Sequence, residues 1–184
     1  MIKKKLLSAI IILFCFSLTI NAQISTNERP ISMKNNLAKT SIIELETPNM
    51  QKIFEEDRLF EGSTRFACPV FVNFDLTNSG HWTTLEDGSR LWRLSVILPN
   101  ALSTHTIYNK FWLPDGAKFF VYNENTESFV GAITSEFIGG TKENPIRFST
   151  AILLGEHITF EYYQPATVRE NTVCFDRNYY ITLL

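Results

Sequence analysis

Cysteine is nearly missing from this chain, with three in 184 residues. Cys15 falls in an apolar leader, which leaves Cys68 and Cys174 to form at most one bridge, so a disulfide-stapled scaffold is excluded. The alternative is a buried Cys68 on a strand with an unpaired Cys174 in a tail. Basic excess is missing too. Without the three leader lysines, 14 basic side chains face 19 acidic ones, a formal charge of −5, and nothing in that balance attracts nucleic acid. The sequence has no HExxH, no pair of CxxC motifs and no Asp-x-Asp-x-Asp-Gly loop, so no metal or cofactor is expected. Asp87-Gly88 and Asp115-Gly116 could supply oxygen to a calcium ion, but turn chemistry accounts for both more simply.

What is present begins with an export signal. Lys3, Lys4 and Lys5 form a basic start, and the apolar run over 6–18 is short for a bilayer span. Ala22 marks the expected cleavage point, and the polar stretch that follows carries no stop-transfer pattern. Phe14 before Cys15 argues against a lipoprotein signal. The expected destination is therefore secreted or periplasmic, with no membrane attachment after cleavage. Residues 23–64 are polar and turn-rich, a linker resembling a prosegment. One short helix is expected there, capped by Thr47 with Pro48 at its first position and Met50, Ile53 and Phe54 on one face.

From residue 65 the texture changes to short β-prone runs between turn residues. Eight strands are expected, over 66–76, 81–85, 90–97, 102–111, 118–122, 128–134, 146–153 and 157–163. Asp87-Gly88 favours a tight hairpin. Within two of these runs, Trp92, Leu94 and Val96, and likewise Ile158, Phe160 and Tyr162, recur at every second position and must face a core. Arg93, Ser95, His157, Thr159 and Glu161 then fall on the opposite, wet face. The pattern describes an all-β fold, an antiparallel β-sandwich of jelly-roll type over 65–166, with a divergent tail over 167–184. An unpaired apolar end from Tyr179 to Leu184 would leave an aggregation-prone edge.

Several of these residues form an ordered series: Gly80-x-Trp82, Asp87-Gly88-x-x-x-Trp92-Arg93-Leu94, Phe111-Trp112-Leu113-Pro114-x-Gly116-Ala117-Lys118, Gly131-Ala132-x-Thr134, and Gly155-Glu156-x-Ile158-Thr159-x-Glu161-Tyr162-Tyr163-x-Pro165. With Arg29-Pro30-Ile31-Ser32 before it, the series resembles the non-catalytic N-terminal region of secreted trypsin-like serine endopeptidases of the lysyl endopeptidase type found in Bacteroidetes. The resemblance runs from about Arg29 to Ala166. It implies a pro-region or accessory domain that assists the folding, latency or substrate engagement of a cognate serine peptidase domain. The departure is the tail, where the family continues into its peptidase half. Acyl transfer needs Ser, His and Asp with oxyanion donors, and no Gly-Asp-Ser-Gly occurs here. No catalytic residues are therefore assigned, and the resemblance implies a truncated or fragmentary member. The competing reading is a free-standing glycan- or peptide-binding module, for which Trp82, Trp112 and Tyr163 are the candidate contacts.

Overall fold

The computed structural model describes residues 25–59, 65–123, 125, 128–168 and 179–183. The expected signal peptide and Cys174 lie outside the described residues. In chain order the elements are α1 (Ile31–Lys34), β1 (Ile42–Glu44), α2 (Met50–Leu59), β2 (Cys68–Val72), β3 (His81–Thr84), β4 (Arg90–Ile97), β5 (Ser103–Phe111), β6 (Lys118–Asn123), β7 (Ser128–Ile133), α3 (Ser135–Ile138), β8 (Ile146–Ser149), β9 (Leu153–Leu154), β10 (His157–Gln164) and β11 (Tyr179–Leu183). The fold is all-β. One sheet runs β1-β4-β10-β6-β7, with β3 beside β4, and the other runs β2-β11-β5-β8, with β9 beside β5.

The period-two reading places the core. Trp92, Leu94, Val96, Ile158, Phe160 and Tyr162 are all buried, joined from β6 by Phe119 and Val121. Tyr108 and Phe111 of β5 meet them from the other sheet: the ring of Phe119 lies 5.7 Å from Tyr108 and 5.3 Å from Phe111, both edge-on. Edge-to-face contact suits the ring quadrupoles, so aromatic side chains carry much of the cohesion between the sheets. Gly80 is required by this packing. Its φ is +72°, and a Cβ there would come within 2.5 Å of the Trp92 indole.

The expected strands survive with local changes. The run over 66–76 ends as a strand at Val72, because Asp75 builds a turn instead: its carboxylate accepts the Thr77 amide at 2.6 Å and the Asn78 amide at 2.8 Å, and its own amide donates to Asn78 Oδ1. Trp82 and Trp92 donate their indole N–H groups to Leu76 and Ser79 carbonyls, which pins that turn to the core. The helix starts later than expected. Asn49, not Thr47, caps α2, accepting the Lys52 amide at 3.1 Å, so Pro48 lies before the helix.

Three expectations are corrected at the edges and the outer face. Residues 23–64 are not simply a linker, since Ile42–Glu44 adds to β4, the parallel pairing in an otherwise antiparallel set of described strands. The divergent tail is part of the fold and not a separate appendage, because β11 lies between β2 and β5 and is antiparallel to both. Finally, Arg93 and Glu161 are not in water. Arg93 is 5 % exposed and Glu161 is fully buried. Strands β6 and β10 each bury a run of five consecutive residues, which period two allows only when both sheet faces are covered.

Candidate functional site

Residues 25–40 form that second cover, a strap lying across the outer face of β4, β10, β6 and β7 before the chain joins the sheet as β1. It is fastened along its length. The Thr26 amide donates to the Ala132 carbonyl, and Thr26 Oγ1 accepts the Ala132 amide, both at 3.2 Å. Glu28 takes Lys118 and Lys34, each at 2.7 Å. Ile31 and Met33 pack on Phe120, Tyr122 and Ala132, a small second apolar cluster. Farther on, the Arg93 guanidinium donates to the Ala38 carbonyl at 2.9 Å, and the hydroxyls of Thr40, Ser95 and Thr159 form a chain with 2.7 and 2.9 Å links.

The centre of the strap is a buried carboxylate. Pro30 supplies no amide proton and sets the backbone for α1, whose first amides have no partner within the helix. Those donors turn to Glu161: the Ile31 amide reaches Oε1 at 2.6 Å and the Ser32 amide reaches Oε2 at 3.2 Å. Tyr122 donates its hydroxyl to Oε2 at 3.2 Å and lies 2.9 Å from Ser32 Oγ. Burial pushes the Glu161 carboxyl above its usual range, more than the bonds from Ser32, Ile31 and Tyr122 pull it down. At Glu28 the balance is reversed, since bonds from Lys118 and Lys34 outweigh burial and leave that carboxyl lowered.

Arg93 pairs with Glu161 across β4 and β10, yet the Glu161 oxygens are engaged by the strap. No carboxylate among the described residues lies within ion-pair distance of Arg93, and its Nε makes no hydrogen bond. Beside it opens a cleft of about 310 Å³ lined by Arg29, Ser32, Met33, Leu37, Lys39 and Arg93. Leu37 also lines a larger cleft of about 540 Å³ bordered by Thr84, Glu86 and Asp87.

The aromatic candidates are not brought together. Trp82 stands opposite Trp92 on the core side of its sheet, half-buried, 6.0 Å from Tyr162 in an edge-on contact, with the Arg90 guanidinium 4.2 Å above its ring. Tyr163 follows Tyr162 on β10 and so faces the outer side. Trp112 follows the end of β5 in the other sheet. Cys68 is buried on β2. His81 and His157 belong to one sheet and His105 to the other. The Asp87 carboxylate accepts the Ser89 amide at 2.9 Å and Asp115 accepts Ser135 Oγ at 3.2 Å, which is turn and loop chemistry. Among the described residues no three His, Cys, Asp or Glu side chains gather as a metal ion requires, and no helix is long and apolar enough to cross a membrane.

The fold and site together define an all-β protein in which a leading segment is fastened over a buried glutamate. Set against known protein families, curated proteins and solved structures, the chain matches none.

Proposed function

We propose that this chain is an exported, non-catalytic β domain that docks on a serine peptidase, as the pro-region or accessory domain it resembles would. The observation that carries the reading is an asymmetry between the two sheets. One has its outer face covered by residues 25–40, whereas the other leaves Phe71 of β2 74 % exposed, in register through β11 with half-buried Ile107 of β5. Aromatic rings are enriched where one protein surface meets another, and Phe71 offers such a ring on the sheet face without a strap. The ordered motif series supports the same reading at the level of packing. Gly80, Trp82 and Trp92 form one interlocked unit, and Glu161 and Tyr162 serve the strap and the core from adjacent positions on one strand.

The test adds the purified chain to trypsin-like peptidases of the lysyl endopeptidase type and follows both cleavage of a chromogenic substrate and recovery after denaturation. Slowed cleavage or improved refolding at about micromolar concentration is expected, with loss of the effect in Phe71→Asp while circular dichroism stays unchanged. A chain that alters neither rate nor yield removes the reading.

A further inference from the structure

We infer that the cleft between the strap and β4 is a carboxylate-recognition site that takes an acidic residue of a peptide, with a neighbouring basic residue of that peptide lying against Glu86 and Asp87. Two independent observations carry this. The first is Arg93, a guanidinium 5 % exposed whose Nε has no partner and whose strand neighbour Glu161 is committed elsewhere. A guanidinium out of water without an anion is unfavourable, and its planar fork matches a carboxylate. The second is the cavity beside it, about 310 Å³, where Arg29 and Lys39 add positive charge at the exposed rim. That volume is near the lower limit for ligand pockets and suits one side chain more than a whole oligosaccharide.

The surroundings favour a peptide over a free anion. The chain as a whole is acidic, so an isolated anion gains nothing from the long-range field. Met33 and Leu37 give the cleft an apolar wall, and beyond Leu37 the next cleft presents Glu86 and Asp87. Basic and acidic clefts adjoining across one leucine suit a ligand carrying both charges on a short backbone. The Ser89 hydroxyl and amide both donate to the Asp87 carboxylate, which fixes where the acidic side of the cleft carries its charge. This inference stands apart from peptidase docking, because it uses the strapped sheet and leaves Phe71 on the other sheet untouched.

The experiment titrates the full chain with acetyl-Glu-Lys-amide, acetyl-Gln-Lys-amide and acetate, following the Arg93 Nε–H signal and the amides of Leu37 and Thr84 by NMR. The Glu-Lys peptide is expected to shift all three signals with a dissociation constant of about a millimolar, and the Gln-Lys peptide to bind at least roughly fivefold more weakly. Arg29→Gln, an exposed change that leaves the core alone, should weaken the Glu-Lys peptide by a similar factor, and added salt should do the same. Equal affinity for the Glu and Gln peptides, or an Arg93 signal that does not move, would overturn the site. Acetate binding as tightly as the dipeptide would overturn the peptide assignment.

Discussion

Trp92 illustrates how one side chain serves several layers of structure. Its ring fills the core, its indole N–H holds the Ser79 carbonyl at 2.8 Å, and its presence forbids a Cβ at residue 80. Trp92→Ala should cost about 3–5 kcal/mol, read as a lowered urea midpoint with unchanged slope. Glu161 gives the more discriminating prediction. Its folded pKa is raised, so its contribution to stability is fully present below the unfolded value and is lost as pH rises through the folded value. Glu161→Gln keeps an acceptor for the Ile31 and Ser32 amides without the charge, and its stability curve should therefore climb relative to the parent as pH rises above the ordinary carboxyl range. Parallel curves would show that the carboxyl does not titrate there. Glu161→Ala leaves those buried donors unanswered and should cost about 1–3 kcal/mol at low pH, where the carboxyl contributes fully, and less as pH rises. Glu28 has the opposite sign: its lowered carboxyl contributes above the unfolded value and loses that contribution as pH falls through the folded one.

Among the elements, the strands were the legible part, because alternation in β4 and β10 is set by local geometry and needs no knowledge of the partner. The strap was not legible. Its residues read as polar loop, and the group that fixes it, Glu161, is 130 positions from Ile31, beyond the reach of any local pattern. The one available signal was Arg93 and Glu161 set among aromatic and aliphatic strand residues, where a wet face was the ordinary interpretation. The α2 boundary was missed by a smaller margin, since Thr47 and Asn49 are both competent caps and the chain uses the second. Asn49→Ala should lower the stability of α2 by about 1 kcal/mol, detectable as faster amide exchange confined to 50–59. At β11, Thr182→Pro would remove an amide donor from a strand bounded on both sides by β2 and β5, and is expected to destabilise the whole sheet, not only the tail.

For the whole molecule, the two sheets share one core but differ in what lies outside them. The strapped face offers a charged cleft, and the other an exposed phenylalanine, so the two proposed contacts can be separated by mutation. Phe71→Asp should abolish effects on a peptidase while leaving dipeptide binding intact, and Arg29→Gln should do the reverse. A single surface serving both would make the two variants behave alike.

The wiring of the strap also bears on when the protein can finish folding. The strap waits for a glutamate synthesised 130 residues later, and until β10 exists the Ile31 and Ser32 amides lack their acceptor. Contacts of such long span make closure slow compared with neighbouring-strand pairing. A nascent polypeptide built this way stays threadable until β10 has emerged and locks only then.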